Sequence, residues 1–548
     1  MRRLLFCISL ASVLAACTTP APSSPELKAE AKRVKAHVDF LADDLLEGRE
    51  ATSRGYAVAA HYVANQMAAI GLSPAGDNGG WLQEVPLLRA QRLREQAAMQ
   101  LHRGAETIGF EFETDFLPGV NYHQGEWQLR APMVFVGQAV VAPEFGHDDL
   151  DGLDLNGKIA LVFSGAPASF PNDPRAYYSS SRVKQDLLVA RGAVGIVLLG
   201  DPEREGKYPW ARGAKNWARP SMRLRDGQNR PIDAHPELIG SASINVAAVE
   251  RLFAGSPVEA RQLFEDLAEG RLKGFELPGE LELRGANSLS QERCWNVVGQ
   301  LPGNDPIKAN EHVVYSAHLD HVGIGAPING DSIYNGALDN ALGVALLLET
   351  ARLASAAPAV ARSQIFLAVT AEEKGLLGSD YFAGQPSVPG ELVANINMDM
   401  PVVLGPLSDA LPIGIEHSDL APIVQSEAAA LGLELSADPF PEEVVFIRSD
   451  QFSFIRRGVP AVYVDGGVVS ADPAFNATES LTHFLRNHYH QPSDQTDLPI
   501  HYPSAARLAD LNAAIGARVA SQAERPRWNP GDFFAGKFAA TQQSAGGD

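Results

Sequence analysis

Short apolar runs alternate with polar segments along this chain, and the period of the apolar positions predicts which structure each run forms. In residues 55–70 the apolar positions recur every three or four residues, which predicts a helix that ends at Gly71. A second helix is predicted at residues 341–353. Three short, continuous apolar runs are typical of buried strands, namely residues 313–317, 364–370 and 393–398. The pattern predicts an α/β domain with a mixed, mostly parallel sheet.

The middle of the chain has a different pattern. Residues 158–163 and 193–199 read as strands on either side of a short helix at 182–191, within a strand-rich segment. We predict a self-contained, mainly β insert, because a chain of 548 residues is too long for one core. The predicted divisions are a signal peptide (1–17), a tether (18–30), a first catalytic part (31–110), the insert (111–288), a second catalytic part (289–526) and a flexible tail (527–548).

The first residues resemble the signal sequence of a bacterial lipoprotein. Arg2 and Arg3 precede an apolar stretch too short to span a bilayer, and Leu14-Ala15-Ala16-Cys17 resembles a lipobox. This resemblance implies cleavage before Cys17, a lipid on its thiol, and, with Thr18 next, an anchor on the periplasmic face of the outer membrane. A plain secretion signal is the alternative.

The charge balance limits the partners that the chain can bind. Removal of Arg2 and Arg3 takes the formal net charge from −21 to −23, which argues against nucleic acid or an anionic membrane surface. No run of 18 apolar residues follows the signal. We therefore expect contact with a membrane only through the lipid on Cys17.

Carboxylates and histidines stand at the ends of the predicted strands. The sequence places His318 and Asp320 after the first strand, Glu372 and Glu373 after the second, and Asp399 after the third. Ligands of open α/β sheets bind at the carboxyl ends of the strands. These side chains therefore predict a metal site at one sheet edge.

The residue types indicate which metal the site binds. Two imidazoles and three carboxylates suit two zinc ions about 3.5–4 Å apart that share one carboxylate, and cobalt or manganese would also fit. The candidate ligands are His318, Asp339, Glu373, Asp399 and one late histidine, which the spacing alone leaves open among His483, His488 and His490. Asp320 is placed to orient the ring of His318, and Glu372 is free to act as a general base.

Five motifs in this order resemble the co-catalytic di-zinc aminopeptidases, metallopeptidase family twenty-eight, with an inserted protease-associated domain. They are AHLDH (317–321), GALDNALG (336–343), TAEEKGLLGS (370–379), NINMD (395–399) and HYHQPSDQTD (488–497). The resemblance implies a three-layer zinc-exopeptidase fold, peptide substrates and a cis peptide after Asp339. It assigns the metal ligands as His318, Asp339, Glu373, Asp399 and His490, with Glu372 as the base and Asp320 as the residue that orients His318.

The resemblance implies an aminopeptidase, and two alternatives stay open. One is a carboxypeptidase of the same family, for which Arg448 is the candidate to hold a terminal carboxylate. The other is a binding module on the same fold without catalysis, which the presence of all seven matched residues disfavours. Gln451 stands where related chains often have a histidine, which leaves the nearby substrate contacts open. His321 and His483 are interpreted as ordinary polar residues.

Overall fold

The computed structural model describes residues 29–539, so the predicted signal peptide, nearly all of the tether and the end of the tail lie outside the described residues. The N-terminal part begins the catalytic domain. Its elements are α1 (Ala31–Leu41), α2 (Arg54–Ile70), β1 (Ser73–Pro74) and β2 (Leu82–Arg103). Helix α2 begins at the cap of Ser53, whose side chain accepts from Tyr56 N, and ends at Gly71, whose φ of 95° suits a residue without Cβ.

The insert contains helices as well as strands. Its elements are β3 (Glu106–Phe110), β4 (Phe116–Pro118), β5 (Glu126–Phe135), β6 (Val141–Ala142), β7 (His147–Asp148), β8 (Ile159–Phe163), α3 (Asn172–Ser179), α4 (Ser181–Ala190), β9 (Gly195–Leu199), α5 (Pro202–Lys207), α6 (Trp210–Asn216), β10 (Ser221–Leu224), β11 (Gly240–Ile244), α7 (Val246–Phe253), α8 (Ala260–Ala268) and the start of β12 (Phe275–Leu301). The prediction of a mainly β insert missed short amphipathic helices such as α7, which buries Val249 and Leu252.

The second catalytic part completes the sheet and its helices. Its elements are β13 (Glu311–His318), β14 (Gly323–Ile328), β15 (Asp331–Tyr334), α9 (Gly343–Ala356), β16 (Ser363–Val369), α10 (Leu377–Gly384), β17 (Glu391–Asn397), β18 (Asp409–Ile413), α11 (Ala421–Ala430), β19 (Glu434–Leu435), α12 (Gln451–Ile455), β20 (Ala461–Gly466), α13 (Ala477–Asn487) and α14 (Tyr502–Ser521). The prediction of a flexible tail from residue 527 was wrong for its first part, because α15 (Phe533–Phe538) forms there and buries Phe534 in the core beside α12. The strand order is β2-β12-β16-β13-β17-β20-β18-β19. Strands β16, β13, β17 and β20 are parallel, as predicted.

Both faces of the parallel strands are buried, which gives three layers. Along β13, Val313 and Tyr315 pack in the large core that contains α9 and α14, while Val314 packs in a smaller core on the opposite face with Phe382 of α10 and Phe454 of α12. Alternate side chains of a strand point to opposite faces, so a strand covered on both sides reads as one continuous apolar run. This explains why the runs were visible in the sequence.

Two long strands, β2 and β12, connect the catalytic domain to the insert. They pair from Leu82↔Val297 to His102↔Glu280, with an irregularity near Arg284. The catalytic core includes Val85 and Cys294 on these strands, whereas the insert has its own core. Each of these two strands therefore runs from one core into the other. The predicted domain boundaries at 110/111 and 288/289 stay predictions.

Two short apolar segments form turns and not regular elements. Val445–Ile447 is a 3₁₀ turn. Helix α1 ends at Leu41, and Asp44–Arg49 forms a separate turn, although apolar residues recur at helical spacing across residues 39–47. Apolar spacing over so few residues does not distinguish a turn from a continuing helix. No helix among the described residues is long and apolar enough to cross a membrane.

A buried histidine joins the insert, the catalytic domain and the last helix. The ring of His417 is 2% exposed, and its Nδ1 lies 2.7 Å from Asp532 Oδ2. Its Nε2 lies 3.9 Å from Asp173 Oδ1 of the insert and 3.8 Å from Glu416 Oε1. Burial alone would lower the pKa of His417, but the bond to Asp532 and the charges of Asp173 and Glu416 raise it above its ordinary value of 6.5.

The contribution of His417 to stability should therefore fall as the pH rises. A pKa raised by folding contributes stability that is fully present below about pH 6.5 and is lost as the pH passes the folded value. We expect the melting temperature of wild type to exceed that of His417→Gln most at pH 6, with a difference that shrinks toward pH 9. A hydrogen bond to a charged group contributes about 1.5–3 kcal/mol. A difference that is constant across this range would contradict a protonated His417.

Candidate metal centre

The carboxyl ends of three parallel strands bring the predicted site residues together. His318 is the last residue of β13, Glu372 and Glu373 follow β16, and Asp399 follows β17. Parallel pairing of β13 with both neighbours puts these three ends at one sheet edge. His490 reaches the same edge from the loop after α13. The structure thus unites residues that lie up to 172 positions apart.

The ligand atoms form two groups that share Asp339. His318 Nε2 lies 3.2 Å from Asp339 Oδ1 and 2.9 Å from Asp399 Oδ1. On the other side, His490 Nε2 lies 3.1 Å from both Asp339 Oδ2 and Glu373 Oε1. Asp339 turns one oxygen toward each group, which is the arrangement of a carboxylate that bridges two ions.

The dimensions and charge of both groups fit zinc. A tetrahedral zinc ion with bonds of about 2.0–2.1 Å separates its ligand atoms by roughly 3.3 Å. The separations here are 2.9–3.2 Å. Glu373 Oε1 is also buried without a hydrogen-bond partner, a costly state for a carboxylate that a bound cation would relieve. The residues therefore fit two zinc ions, one in each group.

The backbone around Asp339 is held by a second buried acid, Asp494. Its carboxylate accepts hydrogen bonds from Leu338 N at 2.9 Å and Asp339 N at 3.0 Å. The peptide bond between Asp339 and Asn340 is cis, as the resemblance implied. Asn340 Nδ2 donates to Met398 O at 3.1 Å, which ties this turn to the end of β17. The shared ligand is thus positioned from two sides.

Asp320 contacts the ring of His318 through its backbone carbonyl, whereas the prediction placed its carboxylate there. His318 Nδ1 donates to the backbone carbonyl of Asp320 at 3.0 Å, and this bond leaves Nε2 free to ligate. The carboxylate of Asp320 instead accepts from Glu372 N at 3.1 Å and Glu373 N at 3.4 Å. An extended chain would place the side chain beside His318, but the backbone turns here. Asp320 therefore positions the two adjacent glutamates.

Glu372 belongs to neither ligand group and faces the open side of the site. Burial raises the pKa of its carboxyl well above the ordinary value; His318 opposes this shift, while Asp399 and Glu373 add to it. Two bound cations would favour the ionised form. A carboxylate with a raised pKa beside a metal pair is suited to accept and return a proton.

Arg49 is a buried cation that sequence reasoning missed. Its guanidinium donates to the carbonyls of Leu319 at 3.0 Å, Asn335 at 2.7 Å, Gly336 at 3.1 Å, and also Leu41. These contacts join the loop after β13 to the turn that carries Asp339. Nothing in the polar segment 48–52 indicated this role. Asp494, by contrast, lies in a matched motif, and its place four residues after His490 was an available signal.

His321 lies inside the second ligand group, although the sequence suggested an ordinary polar residue. Its ring is fully buried, with Nδ1 2.9 Å from Glu373 Oε1. His488 and His483 point elsewhere: His488 Nδ1 is paired with Ser493, and His483 with Asn487. The choice of His490 among the late histidines thus agrees with the positions of all three.

A cleft of about 390 Å³ leads to the two glutamates, and the insert forms one of its walls. Arg182, Arg223 and Asp233 of the insert line it opposite Arg448 and Tyr489. This volume is typical of sites for small ligands. Gln451 precedes Phe452, which lines the cleft, and is itself fully buried. Its Oε1 accepts from Asn397 Nδ2 at 2.9 Å, and its Nε2 donates to Phe446 O at 2.9 Å.

The part of the chain that holds the site is similar to a known protein family. Residues 296–516 match the model of Peptidase family M28. The solved structure of an aminopeptidase from Aneurinibacillus sp. strain AM-1 is 19% identical with a TM-score of 0.53, over 91% of this chain and 96% of that one. This likeness shows a shared fold.

Two other solved structures are less similar. A zinc aminopeptidase from Bacillus subtilis is 17% identical with a TM-score of 0.44, over 91% of this chain and 97% of its own. A peptidase M28 precursor from Shewanella amazonensis is 17% identical with a TM-score of 0.42, over 91% and 97% of the two chains. Of these three structures, the one from Aneurinibacillus shows the shared fold.

Proposed function

Because residues 296–516 match the model of Peptidase family M28, we propose that this protein is a two-zinc aminopeptidase that removes amino acids from the N-terminus of peptides. One observation carries the proposal: five ligands converge in two groups that share Asp339, and Glu372 stands free beside them. The aminopeptidase from Aneurinibacillus, which has a similar fold, supports the same choice. A binding module without catalysis would have no need of Glu372.

Each residue of the site has a defined part in the reaction. His318, Asp339 and Asp399 would hold one zinc ion, and Asp339, Glu373 and His490 the other. When bound, zinc supplies a Lewis acid that polarises the scissile carbonyl and acidifies water. Glu372 accepts a proton from the attacking water at its carboxylate and donates it to the leaving amine nitrogen. Asp320, through the N–H groups of both glutamates, keeps the base and the ligand in place.

The arginine that a carboxypeptidase would use is already engaged. Arg448, the candidate for a carboxypeptidase, lies in the same cleft, but its Nη1 is 3.2 Å from the carbonyl of Glu443 and 3.4 Å from its carboxylate. An arginine already paired with an acid is a weaker site for a terminal carboxylate.

We expect peptides with a free N-terminus to be cleaved and N-acetylated peptides to be cleaved little. The measurement is the release of amino acids from three matched peptides, namely one unmodified, one N-acetylated and one C-amidated. Amidation should change the rate little, because the C-terminus is not recognised in this proposal. Equal rates on the acetylated peptide, with residues released from the C-terminus, would favour the carboxypeptidase.

The insert is proposed to be a protease-associated domain that shapes the entrance to the site. It supplies one wall of the cleft, and Arg212 Nη2 of the insert donates to Tyr489 O at 2.8 Å, next to the ligand His490. A wall of this kind would admit only short peptides or extended peptide ends. The preference of the enzyme for particular substrate side chains would therefore depend on both domains.

The protein is further proposed to be anchored by a lipid on Cys17, on the periplasmic face of the outer membrane. The lipobox carries this proposal, and its residues lie outside the described structure. We expect wild type to partition into the detergent phase and Cys17→Ser to stay uncleaved or enter the aqueous phase. Phase separation with mass spectrometry of the mature N-terminus measures both. A wild-type protein that is soluble without detergent and begins at another residue would contradict the anchor.

A further inference from the structure

The proposed ligand set leaves one buried histidine of the site without a role. His321 is fully buried, and neither of its ring nitrogens has a hydrogen-bond partner among the described residues. Its backbone N–H donates to Arg49 O at 3.3 Å, so the loop after β13 is fixed at this position. An unpaired imidazole in a buried place is costly, and such groups usually have a reason to be there.

The fold makes room for the ring of His321 beside Asp339. Gly336 precedes the turn that carries Asp339, and its φ of 62° lies in the left-handed region that favours glycine. A Cβ at this position would come within 2.1 Å of Asp339 O, and within 2.6 Å of Cγ and 2.7 Å of Cδ2 of His321. Any larger residue would therefore strain the turn of Asp339 and crowd the imidazole.

Four ligand atoms, not three, surround the second metal position. His321 Nδ1 lies 2.9 Å from Glu373 Oε1 and 3.8 Å from Asp339 Oδ2. His490 Nε2 lies 3.1 Å from each of the same two oxygens. These four separations bracket the roughly 3.3 Å that separates the ligand atoms of a tetrahedral zinc ion.

A hydrogen bond between His321 and Glu373 would be the simpler explanation for the 2.9 Å between Nδ1 and Oε1. It would not explain why Asp339 Oδ2 and His490 Nε2 lie around the same point. A common ion accounts for all four atoms.

We propose that His321 is a fourth protein ligand of the zinc ion held by Asp339, Glu373 and His490. This inference rests on the proposed two-zinc site and goes beyond its ligand set. Four protein ligands close a zinc site, whereas catalytic sites keep a position open. The open position would therefore lie on the ion held by His318 and Asp399, and the two ions would differ in affinity and in role.

X-ray absorption on the two-zinc wild-type protein tests the ligand directly. We expect three imidazoles for every two zinc ions, from His318, His321 and His490, and two in the variant His321→Ala. Two imidazoles in wild type would overturn the proposal, and this result does not depend on whether the variant folds. A wild type that binds no zinc would instead contradict the proposed function itself.

Metal titration provides the second measurement. In competition with a chelator, wild type should bind two Zn²⁺ with different affinities. In His321→Ala the affinity of the tighter site alone should fall at least about 10–100-fold, because loss of a residue that only contacts a metal ligand already costs this much. The visible spectrum of the Co²⁺ form should change at the same site, because the ligand field changes. The matched control is His483→Ala, at an exposed histidine, which should leave both affinities and the spectrum unchanged. An unchanged Co²⁺ spectrum in His321→Ala would show that His321 is not a ligand.

Discussion

Glu372→Gln should retain both zinc ions and lose nearly all turnover. The substitution keeps the shape of the side chain and its backbone N–H contact to Asp320, but it removes the group that accepts a proton. Loss of a general base costs roughly 10²–10⁴-fold in rate. Since Glu372 belongs to neither ligand group, metal content should stay near that of wild type. The measurement is kcat on a free peptide together with elemental analysis of the same sample.

The adjacent variant Glu373→Gln is the matched control for this result. Glu373 Oε1 lies 3.1 Å from His490 Nε2, inside a ligand group, so its loss should lower metal affinity first. Activity lost in Glu373→Gln should partly return in excess zinc, whereas activity lost in Glu372→Gln should not. Exchanged phenotypes would mean that the roles of the two glutamates are swapped, and a nearly fully active Glu372→Gln would contradict the mechanism.

Asp339→Asn should affect both metal positions at once. Its two carboxylate oxygens face different histidines, at 3.2 Å and 3.1 Å, so one substitution weakens both groups. Even outer contacts to metal ligands cost about 10–100-fold in affinity, and a shared ligand should cost more. We expect the purified variant to contain little zinc and to show no measurable activity at ordinary zinc concentrations.

Titration of Zn²⁺ into the metal-free variants distinguishes a bridging ligand from an ordinary one. Asp399→Asn should weaken one of the two binding events and Asp339→Asn both. Asp472→Asn, at an exposed acid, controls for loss of surface charge. An Asp339→Asn that still binds one zinc ion as tightly as wild type would show that the carboxylate does not serve both groups.

The catalytic half of the fold could be predicted because its strands are buried on both faces. Residues 313–317 read as one apolar run because Val313 and Val314 pack in different cores, and the strand ends then place His318 and its partners. The bounds of β13, β16 and β17 lie within a few residues of those predicted. The resemblance carried by the five motifs then identified His490 as the ligand among the three late histidines.

What the sequence did not reveal depends on tertiary contacts. Arg49 donates to carbonyls from three separate segments, and no local pattern marks a residue whose partners are backbone groups. The carboxylate of Asp320 turns away from His318 because the chain bends after β13, which the spacing of two residues does not predict. The place of the His321 ring in the site depends on the close approach of Gly336, which lies 15 residues further along the chain, so the local sequence does not indicate it.

The zinc content of the purified wild-type protein, measured alongside its peptidase activity, tests the central claim most directly. The two ligand groups that share Asp339 predict two zinc ions per chain, loss of activity when a strong chelator removes them, and recovery when zinc is returned. A protein that contains no transition metal, or that cleaves peptides equally well after complete removal of metal, would contradict the account.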